Sequence, residues 1–250
     1  MKKLICFITC GFPDLRTTEK IVSVLENAGV DIVELGMPFS DPIADGTVVQ
    51  YASQKALEKK GTVKDILSVV RHIRKKSNIP IVLMGYLNPV YQYGLKKFFN
   101  EAKESGVSGL IIPDIIPEES KLIKSLAKRA GIDLIYLLAP TTEPKRRKII
   151  YNSTTGFVYV VSVTGITGAR KELPSGLAGF LKQIRRETKK PLALGFGISQ
   201  PKQVTKIKKY IDGIIIGSAL IKIIMRYRGA RLVSEIRKFI LPFRKELGKV

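Results

Sequence analysis

The chain has 250 residues with 43 lysines and arginines against 21 aspartates and glutamates, a formal net charge of +22, and it contains one histidine, two cysteines and no tryptophan. That length accommodates one large domain with a substantial core, and a single domain over residues 1–250 is the expectation. So few histidines and cysteines argue against a zinc site, and no apolar run approaches the roughly 20 residues that a membrane helix needs.

The opening MKKLICFITC has the lysines and apolar run of a signal peptide. It lacks a small-residue cleavage site and runs straight into the turn GFPD, so a first strand over Leu4–Thr9 is the better reading. Cys6 and Cys10 lie in or just past that strand. Four residues of strand span about 13 Å, whereas a disulfide needs Cα atoms within about 7 Å. Both are expected as small buried hydrophobes in a reducing, cytoplasmic setting.

From there short β-branched runs alternate with amphipathic stretches. Further strands are predicted over Val30–Leu35, Ile79–Leu83, Val107–Ile112, Ile132–Leu138, Phe157–Ser162, Pro191–Leu194 and Asp212–Ile216. Most are nearly continuous apolar runs, as parallel strands buried on both faces require. Helical patterns fall between them, for example over Thr17–Asn27, Lys97–Glu104, Glu118–Arg129 and Pro201–Lys209, with a last one over Gly229–Leu247. Gly29, Gly106 and Gly131 each sit just past a helical pattern, where a left-handed residue ends a helix. Eight β/α units in this length favour an α/β fold of the closed (β/α)8 TIM barrel type over an open doubly wound sheet.

The positive charge is lopsided, at +3 over residues 1–125 and +19 over residues 126–250. Such a bias attracts polyanions in general. Here the basic residues alternate with apolar ones at helical spacing, as in KQIRRETKK from Lys182 and KIKK from Lys206, which describes solvated helix faces. No zinc-finger or aromatic-basic RNA pattern accompanies them, and no nucleic-acid partner is expected.

In a barrel, reactive groups come from the carboxyl ends of strands and the loops beyond. Glu34 lies near the end of the second strand. If Ile32 points inward, the two-residue period makes Glu34 do so too, and partial desolvation raises its pKa toward the range of general acid–base work. The loop PFSDPIADG from Pro38 adds Asp41, suited to a turn, and Asp45, which is either a second site carboxylate or the cap of a helix starting near Thr47. GFGIS from Gly195 follows the seventh strand, and Gly217-Ser218-Ala219 follows the eighth and opens a helix. Backbone amides there, with the Ser218 hydroxyl, suit a phosphate dianion. The long loop SVTGITGARKELP, residues 162–174, follows the sixth strand and reads as a lid, with Thr164, Thr167 and Gly168 able to complete the phosphate cradle. Tyr159 below it points a phenol into the same mouth.

VELGMPFSDPIADG at residues 33–46 resembles, without a gap, the signature of the tryptophan synthase alpha subunit family. The similarity extends in order through FITCG from Phe7, PIVLMGYLNP from Pro80, VYVVSVTGITGAR from Val158, LGFGIS from Leu194 and IGSAL from Ile216, and so spans nearly the whole chain. The resemblance implies a lyase that cleaves indole-3-glycerol phosphate to indole and glyceraldehyde 3-phosphate without a cofactor. It implies Glu34 as general acid and base and Asp45 as acceptor of the indole N–H. Phe7 and Tyr86 become walls of the indole pocket and Tyr159 a positioning group. Thr167 hydrogen-bonds Asp45 on lid closure, and Gly168, Gly197, Gly217 and Ser218 hold the phosphate. The implied partner is a pyridoxal-phosphate beta subunit in an alpha2-beta2 hetero-tetramer. Two alternatives stay open: a catalytically idle subunit that only activates such a partner, and another phosphate-binding barrel, though those lack the strand-two signature.

Trypsin offers a test of the lid, because it cuts only exposed, flexible chain. Cleavage after Arg170 or Lys171 is expected in the free protein, slowed by a substrate analogue; cutting that is absent or indifferent to ligand refutes a mobile lid.

Overall fold

The computed structural model describes residues 2–59, 61–161, 173–195 and 197–248. The chain begins with β1 (Lys3–Thr9) and α1 (Leu15–Asn27), which starts where the Asp14 carboxylate accepts from the Thr17 N–H at 2.7 Å. Then come β2 (Ile32–Gly36), α2 (Thr47–Leu57) and α3 (Val63–Arg74), the last opened by a reciprocal capping box between Thr62 and Asp65. After β3 (Ile81–Met84) follow α4 (Leu87–Tyr93), α5 (Leu95–Ser105), β4 (Gly109–Ile111) and α6 (Lys121–Ala130). The second half runs β5 (Asp133–Ile135), β6 (Leu137–Leu138), α7 (Pro144–Ser153), β7 (Val158–Val161) and α8 (Leu177–Glu187). It ends with β8 (Leu192–Gly195), α9 (Pro201–Thr205), β9 (Gly213–Ile216), α10 (Ser218–Arg226) and α11 (Gly229–Glu246).

All pairings among the described strands are parallel, in the order β5-β4-β3-β2-β1-β9-β8-β7-β6. The two ends of that order are consecutive in the chain, separated by Tyr136 alone. They are the halves of one strand position, the first paired with β4 and the second with β7. The Tyr136 carbonyl also accepts from the Tyr159 N–H at 3.1 Å. Eight strand positions therefore surround one interior, as expected from the sequence. The predicted strand over Ile132–Leu138 is interrupted at Tyr136, where the partner strand changes from β4 to β7 and the Tyr136 hydroxyl bonds Ser120 Oγ at 2.6 Å, next to the start of α6. The helix expected over Pro201–Lys209 stops at Thr205 and continues as turns.

Gly106 and Gly131 end α5 and α6 in the left-handed region, at φ 83° and 70°, where a Cβ is strained. Cys6 and Cys10 are free and buried. Burial pushes the Cys10 thiol up to about 12, so it stays protonated and inert.

At the amino end of the barrel Arg244 of α11 reaches under β1 and β2. It donates to Asp31 Oδ2 at 2.6 Å, to the Lys2 carbonyl at 3.0 Å and to the Gly29 carbonyl at 3.3 Å, while Leu4 N–H donates to the same carboxylate at 2.8 Å. Both side chains are 5% exposed. Removing one partner of such a pair leaves a buried charge unmatched. Arg244→Ala is expected to cost about 3–5 kcal/mol in denaturant unfolding, and Lys238→Ala, which breaks an exposed pair with Glu235, under ~1 kcal/mol.

Candidate active site

The site begins with the register of β1 and β2, which sets Phe7 beside Glu34. Gly36, two residues on and on the same inward side, has no side chain, and the Phe7 ring uses that space: a Cβ there would lie 2.5 Å from the ring. Gly195 does the same for Tyr159, where a Cβ would lie 2.5 Å from the phenol ring. Two large aromatic side chains thus fit into the carboxyl end of the barrel because the neighbouring strand ends in glycine at each place.

Glu34 is fully buried, and neither carboxyl oxygen has a hydrogen-bond partner among the described residues. Burial first, and the charge of Asp45 second, raise its pKa to about 8. Asp45 is also buried and raised to about 6 by burial, against which a hydrogen bond from Tyr86 works. Tyr86 donates to Asp45 Oδ2 at 3.1 Å, and its oxygen accepts from the Ala44 N–H at 2.9 Å. Tyr159, fully inside the barrel, has its phenol held well above its ordinary value by burial and then by Glu34 and Asp45, which places it in the field of both carboxyls. It remains a proton donor at any ordinary pH.

The structure places the sequence-derived candidates as follows. Phe7, Asp45 and Tyr86 line one small cavity together with Gly36, Met37 and Met84. Met37 lies across Gly85, whose missing side chain leaves the room: a Cβ there would be 2.7 Å from Met37 Cε. Asp45 does not cap α2, whose N-cap is Gly46 with no side-chain bond. Asp41 is exposed and sits in a turn, its carbonyl accepting from the Ile43 N–H at 2.9 Å and its carboxylate from the Ser40 hydroxyl.

Gly197 and Gly217 follow β8 and β9, two strands that pair directly. Gly197 has φ 83°, a left-handed backbone. Gly217 is the N-cap of α10 and Ser218 its first residue, with no side chain capping the helix, so its leading amides are available to an anion. Thr167 and Gly168, with the rest of the expected lid over 162–172, lie outside the described residues. Sequence reading missed the Tyr86–Asp45 bond, because the partners are 41 positions apart and a tyrosine in an apolar run reads as a wall. It also missed Gly36; a glycine two residues past Glu34 on an inward face was the available signal.

The tryptophan synthase alpha chain family profile matches residues 1–243. The chain is 48% identical over 246 residues to a tryptophan synthase alpha chain of Dehalococcoides mccartyi, covering 98% of this chain and 95% of that one. It is 46% identical over 247 residues to one from a Thermoanaerobacter species, covering 98% and 94%. A chain of the tryptophan synthase a2b2 complex from the hyperthermophile Pyrococcus furiosus superposes with a TM-score of 0.90 at 37% identity, covering 98% of this chain and 100% of that chain. With its strand-two carboxyl and a family match over nearly its full length, the chain belongs to the tryptophan synthase alpha chain family.

Proposed function

We propose that Glu34 is the general acid and base, and Asp45 the acceptor of the ring N–H, in this family's reaction, the cleavage of indole-3-glycerol phosphate to indole and glyceraldehyde 3-phosphate. The chain is a lyase of that family. One observation carries the residue assignment: two buried carboxyls share one mouth, and burial, the charge of Asp45 beside Glu34 and the Tyr86 bond to Asp45 separate them, Glu34 at about 8 and Asp45 at about 6. Between those values the first holds a proton and the second a charge.

That division matches the chemistry. Indole is a poor carbon leaving group until C3 is protonated. Glu34 gives its proton to C3, and Asp45 stabilises the positive charge that develops at the ring nitrogen. The Glu34 carboxylate then takes the proton of the side-chain hydroxyl. The carbon–carbon bond breaks, its electron pair returns to the ring, an aldehyde forms and Glu34 ends protonated as it began. Phe7 and Tyr86 wall the ring and Tyr159 positions it. Gly197, Gly217 and Ser218 bind the phosphate with Gly168 of the lid.

Residues 1–250 act in this reading as one barrel domain in the cytoplasm; no helix among the described residues is long and apolar enough to cross a membrane. The partner is a pyridoxal-phosphate beta subunit in an alpha2-beta2 assembly, as in the Pyrococcus furiosus complex. Exposed Ile43, Tyr51 and Leu57, which line an open groove with Phe39 and Pro42 beside the Asp45 loop, support a docking face there.

Glu34→Gln is expected to lower kcat for indole release by roughly 10²–10⁴-fold with binding retained, and loss of less than about tenfold refutes the assignment. Asp45→Asn is expected to be severely impaired as well. The parent's kcat/KM is expected to follow a bell, rising through about 6 as Asp45 ionises and falling through about 8 as Glu34 does.

Stability gives a separate readout. Glu34 binds its proton more tightly folded than unfolded, so folding stability is lost as pH rises from its ordinary 4.5 toward 8. Glu34→Gln should therefore melt above the parent at alkaline pH, the gap closing in acid. Ser218→Asp, which sets a carboxylate against the phosphate, is expected to weaken glycerol phosphate binding sharply in titration calorimetry.

A further inference from the structure

We propose that Tyr86 is a positioning residue for Asp45: its hydroxyl holds Oδ2 and leaves Oδ1 to meet the ring N–H. This rests on the reading of Asp45 given above. It assigns Tyr86 a task beyond forming a pocket wall.

The hydrogen-bond geometry fixes the proton. The Ala44 N–H donates to the Tyr86 oxygen at 2.9 Å, so the hydroxyl must aim its own proton elsewhere, and Asp45 Oδ2 is the acceptor at 3.1 Å. Among the described residues this is the one hydrogen bond to the Asp45 carboxylate. The donor cannot drift. The Tyr86 ring packs against Phe39 with centroids 5.1 Å apart, and the residue is the N-cap of α4. The next amide, Leu87 N–H, donates to the Asp114 carboxylate at 3.0 Å and 3.3 Å. Asp45 comes from the loop after β2, Tyr86 from the end of β3 and Asp114 from the loop after β4. Tyr86 and the Leu87 amide that follows it thus tie three consecutive barrel loops at the point where the carboxylate must be held.

Among the described residues the groups facing Asp45 are Glu34 from β2, Tyr159 from β7 and Tyr86 itself, with Asp114 acting on Tyr86 from beyond β4. None of them is cationic. Burial pushes Asp45 toward its protonated form, and the Tyr86 bond opposes it. Loss of the hydroxyl should therefore raise the midpoint of Asp45 and remove the ion over the lower part of the working range.

Tyr86→Phe keeps the ring and removes the donor. The direct measurement is the carboxyl carbon-13 NMR titration of Asp45 in the free chain, for the parent and Tyr86→Phe. A hydrogen bond to a carboxylate supports an upward shift of about one pH unit, a factor of ten in ionisation. The acid limb of kcat/KM should move by the same amount, with about a tenfold loss well below pH 6, about fivefold at pH 6, that narrows further as pH rises. In an Asp45→Asn background Tyr86→Phe should change kcat/KM less than twofold, since nothing is left to position. An Asp45 midpoint that stays put in Tyr86→Phe overturns the proposal, even if the variant melts earlier, and so does an equal loss at every pH. A midpoint that moves while the acid limb does not upholds the Tyr86–Asp45 link and instead refutes the catalytic role of Asp45.

Discussion

Two acidic groups confined to one dry barrel mouth constrain everything around them. In water both would be ionised at neutral pH. Here desolvation is the larger effect on each, and repulsion from Asp45 adds to it for Glu34. A hydrogen bond widens the split: Asp45 accepts from Tyr86, whereas Glu34 accepts from no described residue. A lysine near either group would bring both to the carboxylate form and end the division. The packing buries both groups, and no cationic side chain bonds either among the described residues. Glycines at 36 and 195 let Phe7 and Tyr159 close over the interior.

The two ends of the barrel treat buried charge in opposite ways. At the amino end Asp31 and Arg244 neutralise each other and share bonds with three backbone groups. Such a site stabilises the fold and does no chemistry. At the carboxyl end Glu34 has no hydrogen-bond partner among the described residues, at a cost to stability that grows with pH. With the roles proposed above for Glu34 and Asp45, stability and reactivity fall at opposite ends of the same strands.

Much of this was legible in the sequence. The alternation of apolar runs with amphipathic segments indicated eight β/α units, and the two-residue period turned Glu34 inward beside Ile32. The signature at 33–46 indicated the family to which the chain belongs. Other features depend on distance in space. Asp45 before Gly46 and Thr47 is locally indistinguishable from a helix cap; only the tertiary structure shows its carboxylate bonded to Tyr86 and the N-cap of α2 at Gly46. The division of the fifth strand at Tyr136 is hidden because residues 134–138 are one unbroken apolar run, and the change of neighbour from β4 to β7 leaves no mark in composition. Nor does sequence show that Met37 fills the space over Gly85, since neither residue is unusual alone.

The pairing of β1 with both β2 and β9 bears on how the chain is made. β1 acquires its first neighbour as soon as residues 32–36 exist, but its other edge is met only by residues 213–216. At roughly 5–20 residues per second, a ribosome takes about 10–35 seconds to supply the missing strand. Throughout that interval the nascent chain presents the apolar run LICFIT with one row of amides and carbonyls uncovered, a template for pairing with a neighbouring polysome's copy. The demand for chaperones in producing this protein should therefore peak during translation and fall once β9 has been made.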